Sequence, residues 1–212
     1  MSASGPELRV GVLVSGEGSN LQAILDTVHG RQGIEVVCVA SNRPEARALE
    51  RARAAGVPTG VFEAAAYPDR AGRDEALAEF LAAHGVELVV LAGFMELLGP
   101  GFLRRFPGRV VNVHPSLLPA FPGVRAIEQA LEQGVRVTGV TVHFVDEGVD
   151  TGPIVLQEAL ELPYAPAIAE VEQSLHEIEH RLLPRAIELL ARGALRLEGR
   201  RVVLEEGLGV DC

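Results

Sequence analysis

The sequence contains no lysine and no tryptophan, and its aromatic residues are seven Phe and two Tyr. All 19 positive residues are therefore Arg, and against 29 acids they leave a formal net charge of −10. A general nucleic-acid binder needs a basic surplus to neutralise phosphates, so that class is excluded. A small anion is still allowed, because a helix N-terminus and a few local Arg suffice to bind one. The two cysteines, Cys38 in an apolar run and Cys212 at the last position, cannot build a disulfide framework and lack metal-ligand spacing. No apolar stretch approaches the ~20 residues that cross a bilayer. The opening MSASGPELRVGVLVSG has no basic segment ahead of its apolar run, so it does not read as a signal peptide, and a cytoplasmic location is expected.

What is present is 48% apolar residue in 212 positions, enough for one sizeable core. Short apolar runs alternate with longer amphipathic ones. Strands are expected at Leu8 to Val14, Ile34 to Ala40, Val57 to Phe62, Val86 to Ala92 and Arg109 to Val113. Helices are expected at Asn20 to His29, Pro44 to Ala55, Pro68 to His84, near Leu97 to Phe106, and at Val124 to Gln133. This alternation implies right-handed βαβ crossovers and a mostly parallel sheet. Two β-rich segments follow, Val135 to Val145 and Ile154 to Leu162. After them comes a helix over Glu170 to Leu190 that should bend or restart near Pro184, and LRLEGRRVVLEE reads as a hairpin. The fold class is α/β, one domain with a Rossmann-like sheet first and a β-rich, helical part last.

Four places could carry chemistry. SGEGSN (Ser15 to Asn20) links strand one to helix one, and reads as a phosphate cradle or as a simple tight turn. A dinucleotide fingerprint would need a third Gly at Leu21 and an acid closing strand two, which instead ends Ala40-Ser41-Asn42. Asn112 and His114 close the fifth strand at i, i+2, so they share a face at the carboxyl end of a parallel sheet. An amide donor beside an imidazole suits polarising a carbonyl while moving a proton, although a loop-capping His reads equally well. Asp150, in FVDEGVDTGPIVLQ, reads by itself as part of a solvated turn. His176-Glu177-Ile178-Glu179-His180 matches H-E-x-x-H, but Pro184 follows one turn later and no third zinc ligand is evident downstream.

Taken together, VGVLVSGEGSNLQAIL, LVVLAGFMELL, VVNVHPSLLPAFPG, GVTVHFVDEGVDTGPIVLQEA and EHRLLP resemble the phosphoribosylglycinamide formyltransferases over nearly the whole chain. The resemblance implies a formyltransferase fold spanning 1–212, with a phosphate-binding half at about 8–113 and a folate-binding, C-terminal half at about 114–212. It implies catalytic Asn112, His114 and Asp150, a substrate-phosphate loop at Gly18, Ser19 and Asn20, and a substrate contact at Glu179. The folate would meet Met95, Leu97, Leu98, Asn112 and Val145, with backbone of the 146–150 loop facing its ring. Transfer would run from 10-formyltetrahydrofolate to glycinamide ribonucleotide in purine biosynthesis. No metal, nucleic acid or membrane would take part, and the protein would be a monomer or homodimer. Other 10-formyltetrahydrofolate-dependent transferases or deformylases, and a zinc hydrolase using His176 and His180, are the alternatives. Glu17, Glu96, His176 and Ile127 depart from the family pattern.

Overall fold

The computed structural model describes residues 8–205. The first seven residues of the opening segment, Glu206 of the expected hairpin and Cys212 lie outside the described residues. Strands β1 (Leu8–Val14), β2 (Ile34–Ser41), β3 (Thr59–Val61), β4 (Leu88–Leu91), β5 (Val110–His114), β6 (Val137–Phe144) and β7 (Ile154–Glu161) make one sheet in the order β3-β2-β1-β4-β5-β6-β7. The first five are mutually parallel; β6 and β7 add an antiparallel extension beside β5. The chain steps outward from β1 to β3 and returns to β4 on the other side of β1. That reversal opens a crevice at the carboxyl ends of β1 and β4, where α/β proteins bind ligands.

Alternation along each strand divides the core in two. Val10, Val12 and Val14 of β1 pack with α1 (Ser19–Thr27), α2 (Arg47–Ala54) and α6 (Ile168–Ala191). Leu13, Val89 and Leu91 face α3 (Arg70–Ala83) and α4 (Pro100–Arg105). Gly11 points the same way, and a Cβ there would lie 2.8 Å from Leu81 and 2.9 Å from Val86, so glycine lets α3 approach the sheet. α5 (Ala126–Glu132) and the hairpin β8 (Leu195–Glu198) and β9 (Arg201–Leu204) complete the chain.

Two expectations need correction. α6 does not restart at Pro184; it runs unbroken from Ile168 to Ala191 with Pro184 buried inside it. A mid-helix proline costs about 3 kcal/mol. Around it Leu182, Leu183, Ala186, Ile187 and Leu189 are all buried, and a fully buried leucine returns roughly 1.5–3 kcal/mol, so packing outweighs the lost hydrogen bond. The helix expected from Leu97 begins only at Pro100, which leaves 97–99 as loop.

Candidate active site

The last residues of β5 set the geometry. Val111 and Val113 face the α1/α6 core, so Asn112 and His114 turn to the opposite side, at the sheet's carboxyl edge. Antiparallel pairing then places His143 of β6 directly across from Asn112, and their side chains meet at 3.2 Å. His143 Nδ1 lies 2.9 Å from the Phe144 carbonyl, which can only accept, so Nδ1 carries the proton. The Asn112 amide nitrogen faces Nε2, and its second hydrogen is left for a ligand.

His114 is buried, and its Nε2–H donates to the Phe121 carbonyl at 2.8 Å. That carbonyl belongs to the SLLPAFPG loop, which β6 and β7 hold in place. Thr141 Oγ1 donates to the Ser116 carbonyl at 2.7 Å and accepts from the Leu118 N–H at 3.1 Å and Gln157 Nε2 at 2.9 Å. The remaining nitrogen of His114, Nδ1, faces Asp150 Oδ2 at 3.4 Å. Asp150 adopts a left-handed conformation with φ 52°, a cost carried where a side chain must be aimed. Its carboxylate turns inward: Oδ2 accepts from the Gly123 N–H at 2.7 Å, and Oδ1 lies 3.5 Å from His143 Nε2. The solvated-turn reading of Asp150 fails on this geometry.

Burial by itself would raise the Asp150 pKa. The His143 ring, the Gly123 N–H and the His114 ring outweigh it and hold the carboxyl below its ordinary value. For His114 burial dominates and lowers the imidazole pKa, with the Phe121 carbonyl and Asp150 opposing only in part. Near neutral pH the pair is thus a carboxylate beside a neutral imidazole whose bare Nδ1 can take a proton.

Two cavities meet at this cluster. One, of about 280 Å³, has Leu91, Phe94, Leu97, Leu98 and Val145 in its wall, with Asn112, His143 and Asp150 at its end. The other, of about 450 Å³, is lined by Met95, Leu97, Asn112, His114, Arg125 and Asp150. Asn112 and Asp150 belong to both.

A second polar group forms at the crevice between β1 and α6. Gly18 opens α1 with φ 77°, and a Cβ there would lie 2.6 Å from Ala48 Cβ, so only glycine fits. Among the described residues no side chain caps α1, and no acid stands in its first turn, leaving the N–H groups of the Ser19 turn for an anion. Asn20 Nδ2 donates to buried Glu179 Oε2 at 2.8 Å, while Asn20 Oδ1 and His180 Nε2 are buried with no partner among the described residues. Among the described residues no hydrogen bond joins this group to the Asn112 cluster, so the structure assembles the expected site as two neighbouring sets.

Burial raises the Glu179 pKa, against the Asn20 hydrogen bond and the nearby His176. A raised pKa means that the folded state holds the proton more tightly, so stability is lost as pH climbs from the unfolded value through the folded one. Glu179→Gln keeps the acceptor for Asn20 and removes that loss. Its Tm is expected to exceed that of the parent by more at pH 8 than at pH 5. Calorimetry at both values checks this, and an equal difference at both pH values would contradict it.

The departing residues have structural partners. Glu17 is held by Arg47 at 3.2 Å and Arg51 at 2.8 Å, so its charge is paired away from the α1 N-terminus. Ile127 packs against the core. Glu96 is bound by Asn42 and Arg73. His176 and His180 stack at 6.2 Å between ring centres. Among the described residues no cluster of three His, Cys, Asp or Glu is arranged to hold a metal. Nor is any described helix long and apolar enough to cross a membrane. Sequence reasoning missed His143. The available signal was a polar residue inside the buried run of β6, matching Asn112 inside that of β5.

The chain is similar to known proteins over most of its length. The formyl transferase family pattern matches residues 8–187. Phosphoribosylglycinamide formyltransferase of Bacillus subtilis is 42% identical over 84% of this chain and 92% of its own length. A trifunctional purine biosynthetic protein, adenosine-3, of Drosophila pseudoobscura is 48% identical over 91% of the chain, which spans 14% of that longer protein. The crystal structure of glycinamide ribonucleotide transformylase 1 from Symbiobacterium toebii matches with a TM-score of 0.92 and 49% identity, covering 97% of this chain and 100% of that one. With that likeness running the length of the sheet and through the loops at its carboxyl edge, the chain belongs to the formyl transferase family, among the phosphoribosylglycinamide formyltransferases.

Proposed function

We propose that the protein transfers the formyl group of 10-formyltetrahydrofolate to the amine of N1-(5-phospho-D-ribosyl)glycinamide, a step of purine biosynthesis in the cytoplasm. The observation that carries this reading is that Asn112 and Asp150 line both cavities, so groups held in each would meet at one amide and one carboxylate. One side of the smaller cavity, with Leu97, Leu98 and Val145, suits a flat pterin, with Met95 at the second cavity beside it. The uncapped turn at Gly18, Ser19 and Asn20 suits the phosphate, and Glu179 with the unpartnered Asn20 Oδ1 suits polar groups of the ribosyl glycinamide.

The folate supplies the formyl carbon when bound. The free N–H of Asn112 stabilises the oxyanion that develops as the amine adds to that carbon. His114 Nδ1 takes the amine proton, and Asp150 holds the imidazolium so formed. His114 then gives a proton to the departing folate nitrogen, so the new C–N bond replaces the old one with no net change in protons on the protein. No step calls for a metal, a nucleic acid or a membrane, and a monomer or homodimer would serve.

The experiment is direct. Purified protein, 10-formyltetrahydrofolate and glycinamide ribonucleotide are incubated, and the ribonucleotide is examined by mass spectrometry. Formylated ribonucleotide is expected; free formate with unmodified ribonucleotide would replace this reading by hydrolysis. A variant localises the phosphate end. Asn20→Ala loses its contacts and strips Glu179 of its donor, and a hydrogen bond to a charged group is worth roughly 1.5–3 kcal/mol. KM for the ribonucleotide should therefore rise about 10–100-fold while the folate KM stays near its parent value. Equal weakening of both substrates would show that the loop serves another purpose.

A further inference from the structure

We propose that Arg73 and Glu96 are a positioning pair that fixes the 93–99 loop for the folate co-substrate, an inference that rests on the folate reading above. The loop is unusual in what it buries. Phe94 and Leu98 pack against the core, but Met95 is 67% exposed and Leu97 58% exposed, so the middle of the loop buries little apolar surface. Polar links hold it there. The Met95 N–H donates to Ser15 Oγ at 2.8 Å, and Ser15 Oγ donates to Asn42 Oδ1 at 2.6 Å. Asn42 Nδ2 donates to Glu96 Oε1 at 2.8 Å, and the other oxygen of Glu96 pairs with Arg73. Arg73 also grips Asp74 at 2.9 Å, and Asp74 accepts from the Gly99 N–H at 2.7 Å.

The first turn of α3 thus clamps the loop at Glu96 and at Gly99, while the ends of β1 and β2 tie down Met95 and Glu96. Arg73 and Asp74 have side chains only 2% and 4% exposed, so the Arg73–Glu96 contact is shielded from solvent and stronger than a surface pair. Glu96 is itself 29% exposed, and Asp74 still neutralises Arg73 if Glu96 loses its charge. The loop can therefore be loosened without emptying the core of a counter-charge.

Glu96→Gln is the test. The amide keeps its oxygen for Asn42 and turns its N–H groups towards the Arg73 donors, which breaks the link to α3 alone. The folate KM is expected to rise about tenfold, because binding must then order the loop. The ribonucleotide KM and kcat should stay near those of the parent. A lowered Tm with an unchanged folate KM would overturn the proposal by making the pair a fold-holding contact, and an equal rise in both KM values would overturn it by removing the selectivity. Parent enzyme is assayed alongside: absent turnover there would sink the folate reading, whereas normal parent turnover with an unaltered variant would sink only this inference.

Discussion

Asp150→Asn is expected to lower kcat by ~10²–10⁴-fold, the usual worth of a positioned acid–base group. The hypothesis rests on Asp150 Oδ2 lying 3.4 Å from His114 Nδ1 and on the inward turn of a half-buried carboxylate. Asparagine keeps the size and can still accept from the Gly123 N–H, so the loop should hold its shape. It cannot carry the charge that stabilises an imidazolium. Both KM values should stay within a few-fold of the parent, the mark of a group that acts in the transition state. The pH profile adds a second readout. Both groups have lowered pKa values, so both remain in their basic forms from neutral pH to below the ordinary imidazole value of about 6.5. Parent activity should hold through that window on the acid side and fall only beneath it. Asp146→Asn is the control: Asp146 accepts from the Gly148 N–H and the Thr151 hydroxyl within its own turn. A fully active Asp150→Asn enzyme would overturn the role given to Asp150.

Asn112→Ala should lower kcat by ~10²–10³-fold, the cost of deleting one donor aimed at a developing oxyanion. The motive is its side chain, oriented by His143 at 3.2 Å and facing both cavities. Truncation removes the donor and also frees the His143 ring, so His143→Ala should reproduce part of the loss. If Asn112→Ala changed KM alone, the amide would be a binding contact and the oxyanion would need another donor. Steady-state kinetics on the two variants together separate these outcomes.

The sheet was legible in the sequence because runs such as LRVGVLV and LVVL are buried on both faces, and such runs have few alternatives once helices separate them. Asn112 and His114 were legible because i, i+2 spacing on a strand is local geometry. His143 was not, since its partner lies 31 residues away and only the β5/β6 register brings them together. The 97–99 stretch misled for a physical reason: Leu98 stands at i, i+4 spacing with Phe102 of α4, and periodicity cannot tell a core-facing leucine from one lining a cavity. Pro184 misled because local propensity says nothing about the burial that overrides it. The pairing of Arg73 with Glu96 is likewise a product of topology, joining a helix to the loop after another strand.

In the proposed reaction, this site joins a folate-borne formyl group to the amine of a phosphorylated glycinamide. Release of tetrahydrofolate, followed by absorbance, tests it when glycinamide ribonucleotide, water alone and initiator tRNA are compared side by side with the same enzyme. Rapid release with the ribonucleotide, and only background release with the other two, is the predicted result. Release at the same rate without the ribonucleotide, or faster with the tRNA, would contradict it.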